Sequence, residues 1–261
     1  MKIFDCFMYH NEDLMLDIRL NTLSKYVDHF ILVESMYDHQ GNKKRLNFNF
    51  DNFRSYKDKI TYLVIEKFPE NMSSWDRENY QRDYLINGLT KADLDDYVLI
   101  SDVDEIPDLT KFELAKNFKY SVFKQKMYYY KINLLNKTEP IWYGSKICKK
   151  RYIKSPQWLR DQKIKKVPFW KFYKERWNVI ENGGWHFSFL MSASEIKKKL
   201  DSYAHSEYNN KKFNDLDKIN NAIHQKIDLF ERPINFEKIR FDDTFPEYIY
   251  NNKEKFKNWI L

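Results

Sequence analysis

The chain has 261 residues, 43% hydrophobic, 18% aromatic and 32% charged, so it can bury a sizeable core without a disulfide or metal staple. Its five glycines (Gly41, Gly88, Gly144, Gly183 and Gly184) spell neither G-x-G-x-x-G nor G-x-x-x-x-G-K-[ST], which excludes phosphate binding by a glycine-rich loop. Lys+Arg 45 against Asp+Glu 38, net +7, suits phosphorylated small molecules, anionic lipid or nucleic acid, or reflects only a lysine-rich surface.

In chain order, residues 2–9 form a short apolar run bounded by polar residues, the pattern of a buried strand. Residues 13–26 place leucines and Ile18 among charges and predict a helix with acidic residues in its first turn. Residues 29–34 and 60–65 read as strands apolar on both faces, and Ser73 or Ser74 offers an N-cap for a helix over 75–91. A fourth strand, 97–101, ends in Asp102-Val103-Asp104-Glu105-Ile106-Pro107. This alternation predicts an α/β fold with a mixed, mostly parallel central sheet and helices on both faces. Residues 119–153 read as two or three further strands, and Gly183-Gly184 as a turn feeding a short strand through His186. Ser192 to Glu195 spell a capping box for a helix to about residue 203, and 214–230 and 246–259 predict two more helices. Neither a repeat nor a linker divides the chain, so a single domain over 1–261 is expected.

Cys6 and Cys148 lack C-x-x-C spacing and are expected as reduced, buried thiols. Asp5 interrupts the first apolar run, which therefore does not resemble a signal peptide, and no segment has the length and apolarity of a membrane span. The expected location is cytoplasmic, or peripheral at a membrane surface. The histidines His10, His29, His39 and His224 have no partner spacing and are expected to be exposed.

In open α/β sheets ligands bind outside the carboxyl ends of the strands, which is where Asp102 and Asp104 fall. Two aspartates one residue apart can turn toward one cation when the loop curls. Mg²⁺ and Mn²⁺ favour such a place, with one or two carboxylates, waters and the oxygens of a substrate diphosphate. A solvated acidic loop is the alternative.

The Asp102 to Pro107 segment resembles the D-x-D-E-I-P of glycosyltransferase family 17. Asn11-Glu12-Asp13-Leu14 with Arg19-Leu20 is similar to that family's opening block, and Val27-Asp28-x-Phe30 with Glu34-Ser35 to its second. Gly41 and Leu46 follow in order, with Lys43 and Arg45 where prolines are usual. Gly184-Trp185-His186-x-Ser188, Glu195 and Lys199-Leu200 resemble a third block, so the patches span residues 3–207.

The resemblance implies a GT-A-like fold. Residues 1–110 would bind a nucleotide sugar, and 111–261 would supply the acceptor half and extra C-terminal helices. It implies a UDP-sugar donor, UDP-N-acetylglucosamine in known members, inversion at the anomeric carbon, and a glycan acceptor; the positive charge balance favours an anionic donor or an acceptor carried on a lipid or polysaccharide. It also implies Mn²⁺ or Mg²⁺ on Asp102 and Asp104, with His186 completing the metal shell, a satisfied core histidine beside aromatic neighbours being the alternative for His186. Asp104 thereby enters catalysis by holding the metal, which neutralises charge as the nucleotide leaves. Arg82 is positioned to pair with those aspartates or to clamp a phosphate, with an i,i+4 pair to Glu78 as the alternative. Asn11, Glu12, Glu34 and Trp185 are the remaining substrate-binding candidates, although Glu34 could instead cap a loop. The acceptor base is sought among Glu207, Asp161 and Glu181, with Glu207 preferred. Trp142, Trp158 and Trp170 could stack on sugar rings. Two other readings compete: a catalytically silent glycan- or nucleotide-binding protein of the same fold, and a basic nucleic-acid binder, which leaves the paired aspartates unexplained.

Overall fold

The computed structural model describes residues 1–164, 177–202 and 212–261. Strand β1 (Ile3–Met8) leads into helix α1 (Asp13–Leu23), then β2 (His29–Ser35), a 3-10 stretch over Phe50–Lys59 and β3 (Ile60–Ile65). Helix α2 (Ser74–Tyr84) opens on a reciprocal capping box between Ser73 and Asp76. The helix expected to reach residue 91 tightens at Leu85 into a 3-10 turn through Lys91. There the backbone lies so close to β2 that a Cβ on Gly88 would stand 2.3 Å from the Ile31 side chain. Strands β4 (Tyr97–Ile100) and β5 (Glu105–Pro107) flank the acidic turn.

The aromatic second half forms β6 (Tyr120–Tyr129), β7 (Leu134–Asn136) and β8 (Ile141–Lys149), followed by the short helix α3 (Pro156–Asp161). Then come β9 (Asn178–Ile180), β10 (Gly184–Ser188) and helix α4 (Ala193–Ser202) behind the expected Ser192–Glu195 box. Two expected helices are shorter than their sequence pattern. Helix α5 (Leu216–Gln225) stops where Lys226 turns left-handed at φ 57°. The final segment breaks at Asn252 into α6 (Glu247–Asn251) and α7 (Lys253–Phe256), with β11 (Phe236–Lys238) before them. Asparagine is a weak helix former, and Asn252 takes non-helical angles at the break.

Among the described residues the strands join one sheet in the order β11-β7-β6-β8-β4-β1-β2-β3, with β10 bridging β5 and β6 and β9 beside β6. The run β4-β1-β2-β3 is parallel, as the near-continuous apolar strands require, and β8 and β6 continue it antiparallel. The mixed α/β architecture is therefore present, with parallel pairing in its N-terminal half.

Alternation along the strands sorts two cores. Ile3, Phe7, Phe30, Leu32 and Leu99 face α1 and the C-terminal α6 and α7, while Phe4, Cys6, Ile31, Val33 and Val98 face α2 and α3. Each such fully buried side chain contributes roughly 1.5–3 kcal/mol of transfer free energy. A third cluster, including Tyr129, Tyr130, Leu134 and Phe189, is covered by α4 and α5. Both cysteines are free and buried. Among the described residues no helix is long and apolar enough to cross a membrane.

Candidate active site

The carboxyl edge of the parallel strands opens into one cavity of about 1430 Å³, reached by the ends of β1, β2 and β4 and by the start of β8. Because β8 is antiparallel to β4, its first residues lie beyond the end of β4, beside the acidic turn.

That turn is shaped from beneath. Asp5, on an otherwise apolar strand, and Arg19, on the buried and otherwise apolar face of α1, are both fully buried and meet on the α1 side of the sheet. Arg19 Nε and Nη2 donate to the two Asp5 oxygens at 2.7 and 2.5 Å. Its remaining nitrogen, Nη1, donates to the main-chain oxygens of Asp102 at 3.1 Å and Glu105 at 2.6 Å. The turn closes on itself as well: Asp102 N–H donates to Glu105 Oε2 at 3.0 Å, and Glu105 N–H to the Asp102 carbonyl at 3.1 Å.

Glu105 is the fixed post of the site. Fully buried, it accepts Trp142 Nε1 at 2.6 Å and Arg160 Nη2 at 2.7 Å through Oε1. It reaches them through space that only Gly144 leaves, since a Cβ there would stand 2.3 Å from the Glu105 carboxyl carbon. Asp102 lies above it, partly exposed to the cavity. Its Oδ1 takes Arg82 Nη2 at 3.2 Å and its Oδ2 takes Arg160 Nη2 at 2.6 Å. Burial acts to raise the Asp102 pKa, but Arg160 and Arg82 outweigh it and hold the carboxyl well below the usual range.

Asp104 faces His186, with 3.6 Å between Oδ1 and Nε2, and its main-chain oxygen accepts Phe187 N–H at 2.9 Å. Burial opposes both charges, yet their mutual attraction lowers the Asp104 pKa and raises that of His186. The His186 ring lies 5.0 Å from the Trp142 ring, and its Nδ1 is buried without a hydrogen-bond partner among the described residues. Lys146, also lining the cavity, donates to the Arg160 carbonyl. Burial and the nearby Arg160 charge push its pKa down to about 8.

A divalent cation can be tested against this arrangement. Among the described residues no three His, Cys, Asp or Glu side chains gather closely enough to hold a metal by themselves. Mg²⁺ and Mn²⁺ do not require that, taking one or two protein ligands beside waters and phosphate oxygens. Asp104 and His186 fit such a role, offering an oxygen and a nitrogen 3.6 Å apart. Asp102 does not share it as placed, because each of its oxygens carries a guanidinium group.

Other candidates separate by position. Glu12 lines the cavity, taking the N–H groups of His10 and Asn11 on Oε2 and Lys199 on Oε1 at 3.4 Å. Asn11 does not line it, and its Oδ1 is buried without a partner among the described residues. Glu34 realises the loop-capping alternative: fully buried, it accepts Lys44 Nζ, the N–H groups of Asn47 and Phe48, and the Tyr62 hydroxyl. Trp185, expected at the substrate, packs against the α1-side core instead. It follows from strand alternation, because His186 beside it takes the cavity face.

Asp161 lines the cavity at the end of α3, accepting Gln157 Nε2 at 2.8 Å. Glu181 pairs with Lys124 away from it, Trp158 packs on Tyr120 in the α2-side core, and Glu207 and Trp170 lie outside the described residues. Arg82 satisfies both expectations at once, meeting Glu78 at 2.9 Å and Asp102 at 3.2 Å. His10 and His39, expected to be exposed, line the cavity at the ends of β1 and β2, half-buried against Ser202 and Gln81. Their position just past two buried strands was the signal that spacing alone did not provide. His29 is half-buried too, stacked on Phe4, whereas His224 is exposed.

The family model for glycosyltransferase family 17 matches residues 1–258. The chain belongs to glycosyltransferase family 17. Among curated relatives, the human and rat beta-1,4-mannosyl-glycoprotein 4-beta-N-acetylglucosaminyltransferases are each 27% identical over 116 residues, which is 41% of this chain and 22% of theirs. The mouse protein of the same name is 26% identical over the same length. The match thus spans under a quarter of those relatives. A solved glycosyltransferase involved in the glycosylation of the major capsid of PBCV-1 aligns over 69% of this chain and 81% of its own, at 11% identity and TM-score 0.32. Within the family 17 blocks, Arg19 and Glu105 are the residues whose work is least apparent from sequence, and both shape the Asp102–Glu105 turn.

Proposed function

We propose that this family 17 chain transfers a sugar, with inversion, from a UDP-sugar to a glycan acceptor, and that the sugar is N-acetylglucosamine. The observation that carries this reading is the convergence of Asp104, His186, Arg82 and Arg160 on one cavity outside the carboxyl ends of β1, β2 and β4. Strand order divides the cavity around Asp104. The ends of β1 and β2, with His10 and His39, suit the nucleoside, and the start of β8, with Trp142, suits the sugar and acceptor. Asp104 and His186 would hold Mn²⁺ or Mg²⁺, which when bound neutralises charge on the departing diphosphate.

Trp142, its indole N–H held by Glu105, lines the cavity and would stack on a pyranose ring. Asp161 stands as the described candidate for taking the acceptor proton, a role that typically contributes ~10²–10⁴ in rate. The acceptor is a glycan, and one attached to a lipid or polysaccharide would suit the net +7 charge. The names of the mammalian relatives support N-acetylglucosamine as the transferred group. Thermal unfolding with a panel of nucleotide sugars, with and without Mn²⁺, tests the reading. A true donor at 100 Kd adds about 2.7 kcal/mol of apparent stability. If UDP-N-acetylglucosamine does not raise the Tm in the presence of Mn²⁺ while another nucleotide sugar does, the proposed donor is wrong.

A further inference from the structure

The two guanidinium groups on Asp102 come from different elements, Arg82 from α2 and Arg160 from α3. Each has a second carboxylate that is better buried than Asp102. Arg160 is tied to Glu105, whose side chain is 0% exposed, and Arg82 to Glu78, at 16%, whereas the Asp102 side chain is 34% exposed and faces the cavity. The buried partners set where the arginines stand; Asp102 is the partner that can leave. Arg82 Nε adds an independent sign, being buried without a hydrogen-bond partner among the described residues on a side chain that lines the cavity. Lys146 brings a third cation to the same wall. Arginine forks match carboxylate and phosphate oxygens alike, so a carboxylate held between two of them occupies a place that fits phosphate.

We propose that Arg82 and Arg160 form a diphosphate clamp, and that Asp102 acts as its latch, occupying the fork until a diphosphate displaces it. This rests on the nucleotide-sugar reading and gives Asp102 a role other than metal ligand. Arg82 and Arg160 would bind the two phosphoryl groups through the N–H donors now on Asp102, keeping Glu78 and Glu105 as anchors. The displaced Asp102 carboxylate would turn toward solvent or a ribose hydroxyl.

Titration calorimetry on the full chain, with inorganic pyrophosphate, UDP and uridine as probes in EDTA and with UDP again in Mn²⁺, tests the clamp. Asp102→Asn removes the competing charge and should tighten pyrophosphate binding at least threefold. Arg160→Lys keeps the charge but loses the fork, and should weaken pyrophosphate and UDP tenfold or more while leaving uridine unchanged. Arg82→Lys makes the same test from α2 if Arg160→Lys yields too little folded protein. Weaker or unchanged pyrophosphate binding in Asp102→Asn overturns the latch, and undiminished binding in the arginine variants overturns the clamp. If UDP binds the wild-type chain with Mn²⁺ while those variants behave as wild type, the clamp fails and the donor reading stands. If UDP does not bind the wild type under any of these conditions, the donor reading itself fails.

Discussion

At the residue scale the site divides its carboxylates by partner. Asp102 lies on arginines, Glu105 is buried among donors, and Asp104 alone of the three faces a histidine. Asp104→Ala therefore removes the oxygen best suited to a cation without stripping an arginine of its counter-charge. Metal-stimulated transfer should fall at least a hundredfold while the Tm stays within a few degrees, read by a transfer assay and calorimetry on the same sample. Transfer that persists at the wild-type level would remove Asp104 from the reaction. Lys146 gives a pH signature of a different kind. Its pKa in the fold, about 8, lies below the ordinary lysine value, so it is charged below pH 8 and neutral above. Any attraction it exerts on a diphosphate is present at pH 7 and lost as pH rises through about 8. UDP affinity should decline across that window in the wild-type chain and stay level in Lys146→Arg, whose guanidinium remains protonated.

At the element scale the unusual pairing is that of β1 with α1. An aspartate in an apolar strand and an arginine among the leucines of α1 were visible in the sequence, and two buried opposite charges must find each other. Neither residue alone announced that their meeting point lies under the acidic turn, because that depends on which face of the sheet α1 covers. Trp185 and His186 show the same limit: the block was recognisable, but which of two adjacent residues faces the cavity was decided by the register of β10 against β5 and β6. Strand identities were legible because apolar runs of buried strands are a local property. The partners of Glu34 were not, since the loop it caps arrives 13 residues later with Asn47.

Arg19→Met should cost ~3–5 kcal/mol by leaving Asp5 buried and unpaired. The double variant Arg19→Met with Asp5→Leu replaces the pair with apolar groups and should recover most of that stability. Transfer should nonetheless stay low, because the Asp102 and Glu105 carbonyls still lack their donor. Chemical denaturation beside a transfer assay separates the two effects, and full activity in the double variant would reduce the pair to a packing role.

At the scale of the whole molecule, one sheet carries both the proposed nucleotide side and the proposed acceptor side, with β4 and β8 joining them across the acidic turn. The C-terminal residues reinforce that union. Ile249 of α6 and Phe256 of α7, both fully buried, belong to the same core as Phe7, Leu32 and Phe187. Lys25 and Asp17 on or beside α1 are bridged to Glu247 and Lys255. The last element thus closes the face of the sheet on which Arg19 lies, and chain order does not separate the site from its support. Phe256→Ala should cost ~3–5 kcal/mol through lost burial and the cavity left behind. For a chain of this size each kcal/mol lowers the Tm by roughly 2–4 °C. Because α1 carries Arg19 to the turn, the loosened core should also show in donor binding before global unfolding, as a weaker UDP affinity in Phe256→Ala at temperatures well below its Tm. Calorimetric unfolding should remain a single transition, lowered as a whole. Two transitions, only one of them shifted, would mean that the two sides of the sheet unfold separately and that the C-terminal helices support one of them alone.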